Sequence, residues 1–145
     1  MAVSKALRRL LRVQYLEEEQ SKLELESALA DLSRLETALE ASARRESAGR
    51  RLVHSSAYTG EPEERLAGIE EGRTAARYAV ALSPRITTKE IEVASLRQEY
   101  LGKRVERRQA ETLIEAHEAE EASENGRRAQ QMIDDWYGAR QHTQE

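Results

Sequence analysis

The sequence has no cysteine, no phenylalanine, one tryptophan and only two prolines. Without cysteine there is no disulfide framework, no zinc ribbon and no thiol nucleophile. Leu, Ile and Val together make up less than a fifth of the 145 residues. A sandwich, a barrel or a doubly wound sheet needs more large apolar side chains than that to fill its core. The longest apolar run, Tyr78 to Leu82, falls far short of the roughly 20 residues that span a bilayer. The opening residues contain no long apolar stretch and meet acids by Glu17, so no secretory signal is expected. Charge of one sign is lacking too. Lys and Arg number 23 against 27 Asp and Glu, for a net −4 and a pI near 5.6. General nucleic-acid binding therefore has no charge support, and the near balance argues against a disordered chain.

What is present is helix-forming. Ala, Glu, Lys, Leu and Arg account for well over half of the chain, the composition of long helices and coiled coils. The breakers divide it into three. Residues 1–57 contain one glycine, Gly49, and no proline; residues 58–84 hold Gly60, Gly68, Gly72 and both prolines; residues 85–140 are again free of proline. The expected architecture is all-α: an elongated antiparallel two-helix coiled-coil hairpin forming one domain. Its parts are a long helix over 1–57, a connector over 58–84 with a short, less regular helix, a long helix over 85–140, and a tail over 141–145.

Leu25, Leu32 and Leu39, spaced by seven with Ala28 and Leu35 between them, give the first helix its clearest stripe. Val3, Leu7, Leu10, Leu11 and Leu16 form an earlier cluster, and the run from Glu17 to Lys22 weakens the seam between the two, so a sustained heptad is not expected. The last helix has a thinner seam: Ile86, Val93, Leu96 and Tyr100, then Ala119, Ala122, Gly126, Ala129, Ile133 and Trp136 in steps of three or four. Two start signals compete for it, Ser83-Pro84 and the capping box Thr87-Thr88-Lys89-Glu90. In the connector, Pro62 followed by Glu63 and Glu64 makes a sound first turn, while Gly68 and Gly72 each cost about 1 kcal/mol relative to Ala, which marks this segment as the least stable. A hairpin buries both stripes in one chain and implies a monomer in isolation; parallel pairing through the first helix is the alternative.

A hairpin brings the termini to one tip. Lys5, Arg8, Arg9 and Arg12 crowd the first turns, where the helix dipole favours acids, and Asp134 and Asp135 sit near the last, where it favours bases. Either these charges pair across the hairpin or they answer a partner. Trp136, with Tyr137, is a large anchor at a chain end that has little else to bury it, unless it packs on Leu7 or Leu11. No catalytic constellation appears. There is no phosphate-binding G-x-x-x-x-G-K-[ST] loop, the three His are scattered, and His117 with Glu120 and Glu121 is the chance pattern of a Glu-rich helix. No enzymatic activity, cofactor or metal is expected.

Arg107-Arg108-Gln109, Glu111-Thr112-Leu113, Arg127-Arg128, Gln130-Gln131 and Asp134-Asp135-Trp136 lie within residues 104–140. This stretch resembles the C-terminal helix of the flagellar export protein FliJ family and its injectisome relatives of the YscO type. The Leu/Arg-rich opening, the overall length and the two-long-helix plan are similar as well. The resemblance implies a cytoplasmic, non-enzymatic stalk or coupling component of a type III export apparatus, peripherally associated with the membrane-embedded machine. Its partners would be the export ATPase hexamer, which it stimulates, the export gate membrane protein and export chaperones, with no nucleic acid and no direct membrane insertion. By position, Lys5, Arg8, Arg9, Arg12, Asp134, Asp135 and Trp136 would form the end that enters the ATPase ring. A coiled-coil scaffold or holdase-type export chaperone is the rival reading.

Overall fold

The computed structural model describes residues 2–144, and of residues 2–4 the backbone alone. Two helices, α1 (Ala2–Thr59) and α2 (Pro62–His142), pack against each other as an antiparallel hairpin, with no strand among the described residues. Among the described residues no helix is long and apolar enough to cross a membrane.

The reversal between the helices takes two residues. Gly60 has φ +70°, a left-handed conformation that suits glycine, and its amide donates to the Ser56 carbonyl at 2.8 Å. This closes the C-terminus of α1 in the manner of an αL cap. Glu61 follows, and Pro62 opens α2, where its missing N–H costs nothing. Glu63 and Glu64 stand in the first turn, favoured by the positive end of the helix.

The expected connector over 58–84 is thereby corrected: only Gly60 and Glu61 lie outside helix, and the short helix and the last helix are one element. Neither Ser83-Pro84 nor Thr87-Thr88 starts a helix. Pro84 lies inside α2, and the hydroxyls of Thr87 and Thr88 donate back to the carbonyls of Ser83 and Pro84 at 3.2 and 2.9 Å. A proline in a helix interior costs about 3 kcal/mol. Packing offsets that cost here. Leu82, the largest fully buried side chain, and Ile86 flank Pro84 on the face turned to α1, while Pro84 itself is exposed. A proline on the solvent side of a long helix is accommodated by the outward tilt of carbonyls there.

The chain divides into two compact units, a hairpin-end unit (Ser21–Tyr100) and a terminal unit (Met1–Gln20 with Leu101–Glu145). In the hairpin-end unit, positions 21, 25, 28, 32, 35, 39, 42, 46, 49, 53 and 56 of α1 are all buried or half-buried. So are positions 68, 72, 75, 79, 82, 86, 89, 93, 96 and 100 of α2. Both series alternate steps of three and four, the coiled-coil repeat. In the terminal unit the same repeat is met at 7, 11, 14 and 18 of α1 and at 103, 107, 110, 114, 117 and 121 of α2. The heptad is thus sustained, where the sequence suggested an interruption. It was hidden because polar or small residues occupy many of its positions: Gln14, Glu18, Ser21, Ser42, Glu46, Gly49 and Ser56 in α1, and Gly68, Gly72, Lys89, Lys103 and Arg107 in α2.

The small residues of the hairpin-end unit bring backbone to backbone. A Cβ placed on Gly49 would lie 2.6 Å from the Gly68 carbonyl oxygen and 3.0 Å from the Gly72 nitrogen, and one on Gly68 would lie 2.6 Å from the Gly49 oxygen. Ser42, Ser56 and Ala75 are buried beside this contact. The Ser42 and Ser56 hydroxyls donate to the carbonyls of Ala38 and Val53, at 3.0 and 2.7 Å, so neither enters the seam unpaired. Across it, Arg45 Nε donates to Glu71 Oε1 at 2.7 Å, and Lys89 Nζ lies 3.6 Å from Asp31 Oδ2.

Candidate functional site

The charged residues singled out at the two termini all fall within the terminal unit. Lys5, Arg8, Arg9 and Arg12 are exposed on the first turns of α1. Arg8 donates through Nη2 to Glu118 Oε1 at 3.3 Å. That pairing fixes the register: α1 has only six residues before Arg8 that are described, whereas α2 continues for 24 residues past Glu118. Roughly the last 18 residues of α2, about 27 Å of helix, therefore run on beyond the start of α1.

Asp134, Asp135 and Trp136 lie on that extension. They stand 16 to 18 residues past Glu118, about 24–27 Å along the axis. The basic and the acidic-aromatic residues are consequently separate patches. Among the described residues Arg8 does pair across the hairpin, with Glu118 in place of Asp134 or Asp135. Asp134 Oδ1 accepts from Gln130 Nε2 at 3.0 Å, within α2. The helix runs on to His142 with Arg140 and His142 in its last turn, so the C-terminal dipole meets bases after all.

Trp136 does not pack on Leu7 or Leu11, which occupy the seam. It is 56% exposed, and its ring contacts are local: Tyr137 edge-on at 5.2 Å, and the Arg140 guanidinium 5.0 Å from its centroid. Met132, Ile133, Trp136 and Tyr137 together line one open apolar surface. The reason lies in the phase of the sequence. The positions that would continue the seam after Glu121 carry Glu124, Arg128, Gln131 and Asp135, all polar. The apolar series runs one or two residues later, through Ala122, Gly126, Ala129, Ile133 and Trp136. The helix thus presents a second face, rotated by about 150° from the one that meets α1 and so turned almost directly away from it. The sequence contained that signal in the shift of its three-four steps, but the two series read as one seam.

A polar cluster in the seam of the terminal unit was not anticipated. Tyr15 and Glu18 of α1 meet Arg107 and Glu111 of α2. The Arg107 guanidinium donates to both Glu18 oxygens, to Oε1 at 3.5 Å and more closely through Nε to Oε2. It also reaches Glu111 Oε1 at 3.0 Å and covers the Tyr15 ring at 5.0 Å. The Tyr15 hydroxyl donates to Glu111 Oε1. That donation raises the Tyr15 hydroxyl above its ordinary value, because the bond is lost on ionisation, and burial adds to it. The same bond, then Arg107, holds the Glu111 carboxyl below the ordinary carboxylate range. Arg107 is held more firmly protonated, chiefly by Glu18. One turn away, Lys103 Nζ lies 3.3 Å from Glu17 Oε2. The cluster contains no nucleophile paired with a base; its chemistry is that of a clamp between helices. Nearby, Gln14 Oε1 is buried without a hydrogen-bond partner.

His117 Nδ1 stands 4.0 Å from Glu120 Oε2, and among the described residues no group of three His, Asp or Glu is arranged to hold a metal ion. Comparison with protein-family models, with curated proteins and with solved structures finds no match to this chain.

Proposed function

We propose that this chain is a non-enzymatic stalk or coupling component of a type III protein export apparatus, flagellar or injectisome. In this reading it binds and stimulates the export ATPase hexamer, links it to the export gate and meets export chaperones. It acts in the cytoplasm, peripherally associated with the membrane machine. The supporting observation is the free end of α2. A helix end with Trp136 exposed on an apolar face, and with no α1 beside it, is suited to entering a partner, and large aromatic anchors are what such contacts use. The seam below it, built from small and charged residues, suits a stalk whose stability is completed by its partner.

The test is ATP hydrolysis by the export ATPase with and without the chain, together with co-elution. Stimulation in a complex near one copy per ring is expected. Trp136→Ala should weaken it while circular dichroism stays helical. Charge reversal at Arg8 and Arg9 tests the basic patch separately, because the two patches lie about 24 Å apart. Full binding by both variants would remove these residues from the interface, and no complex at all would remove the stalk reading.

A scaffold or holdase-type export chaperone is the second reading. It is favoured by exposed apolar side chains elsewhere in the terminal unit, among them Leu10, Val13, Leu16, Val105 and Leu113. Binding of unfolded clients without a fixed stoichiometry to the ATPase would select it.

A further inference from the structure

We propose that Asn125 is a site of spontaneous deamidation, placed at a joint in α2 where its conversion detaches the Trp136 end from the hairpin. The proposal does not depend on the export reading. Asn125 is the only asparagine of the chain, and glycine follows it. Asparagine is a thermolabile residue, and it reacts fastest before glycine, which has no Cβ to crowd the attacking amide. The Gly126 nitrogen attacks Asn125 Cγ. The N–Cγ bond forms, the Cγ–Nδ2 bond breaks, and ammonia leaves with the Gly126 amide proton. Water then opens the cyclic imide. Cleavage at Cγ gives Asp, and cleavage at the main-chain carbonyl carbon gives isoaspartate. Either product carries a new negative charge.

A closed helix suppresses this step. Its amides are engaged with the carbonyls four residues back, and the helical main chain holds the nitrogen away from Cγ. Reaction therefore requires that α2 open at Asn125, and the register puts a weak point there. Arg8 pairs with Glu118, so the six described residues before Arg8 carry α1 along α2 only to about Glu124. Asn125 and Gly126 come next. Asparagine is a poor helix former, and glycine is worse than all but proline. A Cβ on Gly126 would meet nothing within 4 Å, so no close approach of α1 holds the glycine in place.

Beyond the joint little holds the helix closed. Every residue from Ala122 to Tyr137 is exposed. The contacts there are local to α2: Arg128 with Glu124 at 2.9 Å, Gln130 with Asp134 at 3.0 Å, and the Arg140 guanidinium 5.0 Å from the Trp136 centroid. The segment from Arg127 to His142 has 16 residues with Gly138 among them, close to the roughly 12–15 at which an isolated helix is marginal even when rich in Ala. The tail therefore exchanges between helix and coil from Asn125 onward, independently of the packed seam. Conversion to isoaspartate makes the break permanent. It routes the main chain through the side-chain carbon, adds an atom to the backbone and ends the helical repeat, so Trp136 is left on a separate segment.

The test is the conversion rate of Asn125 in the full chain in mildly alkaline buffer, read by peptide mapping that separates Asn, Asp and isoaspartate. A synthetic peptide of residues 120–131, too short to hold a helix, gives the coil rate. With no second asparagine and no Asp before Gly, the signal has one source. The chain is expected to convert within about tenfold of the peptide; a slower rate would mean that α2 stays closed at Asn125, and would overturn the proposal. Gly126→Ala adds a Cβ that slows attack in peptide and chain alike. In the chain it also closes the helix, for a further slowing of about fivefold. Equal slowing in both would remove opening as the gate. In the purified isoaspartate form, backbone carbon chemical shifts should lose their helical values over 127–140 and keep them over 103–121. Asn125→Asp, with the new charge and an ordinary main chain, should keep both. An isoaspartate form as helical as the parent would overturn the joint.

Discussion

The hairpin-end unit and the terminal unit use the same heptad spacing and fill it differently. In the hairpin-end unit the helices meet through Gly49, Gly68, Ala75, Ser42 and Ser56, with Leu82 enclosed. Contact there is backbone on backbone, and the buried hydroxyls of Ser42 and Ser56 are satisfied inside their own helices, while that of Ser21, at the edge of the unit, is buried without a hydrogen-bond partner. In the terminal unit the seam passes through Gln14, Glu18, Lys103 and Arg107; Lys103 reaches Glu17 and Arg107 reaches Glu18, while Gln14 Oε1 stays buried without a hydrogen-bond partner. The first solution depends on shape and tolerates no added volume. The second depends on charge and tolerates shape changes but not loss of a partner. A heptad repeat therefore specifies where helices touch, while residue size decides how closely they approach.

The comparison can be broken most forcefully at Leu82. Leu82→Ala removes the one large side chain enclosed beside Pro84 and should cost about 2–5 kcal/mol in chemical denaturation. A loss smaller than that of Ile114→Ala in the terminal unit would contradict the packing contrast. Next in size is Gly49→Val. Its Cβ would stand 2.6 Å from a backbone oxygen, and the helices must part, at about 3 kcal/mol. The same change at Gly126, in open space, should cost far less.

Arg107 sharpens the other half of the contrast. Arg107→Ala leaves Glu18 in the seam without its guanidinium and should lower Tm clearly, whereas Arg8→Ala, at an exposed pair, should leave Tm within error. The pH dependence has a definite sign. Glu111 has its folded value depressed, so its contribution is present above the ordinary carboxylate range and is lost as pH falls through the lower folded value. Glu71, held low by Arg45 in the hairpin-end unit, behaves alike. Tyr15 has its folded value raised, so its contribution is present below the ordinary tyrosine value and is lost as pH rises through the folded one. Thermal melts against pH should show both limbs, and Tyr15→Phe should remove the alkaline limb and blunt the acid one.

The smallest expected effect is a gain. A Cβ at Gly72 meets nothing within 4 Å, so Gly72→Ala should stabilise the hairpin by up to about 1 kcal/mol through helix propensity. A loss there would mean that Gly72, like Gly49, is needed for close approach.

Much of this architecture was legible beforehand. The Leu25–Leu32–Leu39 stripe, the charge-rich composition and the Pro62-Glu63-Glu64 start define helices, and two stripes in one chain favour a hairpin. The continuity of α2 was not legible, because proline and glycine are read by local cost, and at Pro84 burial of Leu82 and Ile86 outweighs that cost. At Gly49 and Gly68 the same local reading missed that absence of a side chain is what lets the helices touch. The candidate site was legible by residue and not by geometry: Trp136 and the neighbouring charges were identified, but the shift of one to two residues after Glu121 that turns the Trp136 face away from α1 looked like a continuation of the seam.

The sequence by itself determined that this protein is helical, that its helices carry stripes and that both ends bear unusual charges, because helix propensity and periodicity are properties of neighbouring residues along a chain. Only the tertiary structure decided which polar residues sit in the seam, where α1 ends relative to α2, and that Arg8 pairs with Glu118 while Trp136 stays uncovered. Those depend on the register between two helices distant in sequence. That register is set by how closely small residues such as Gly49 and Gly68 let the backbones approach, and by which long charged side chains then come within reach.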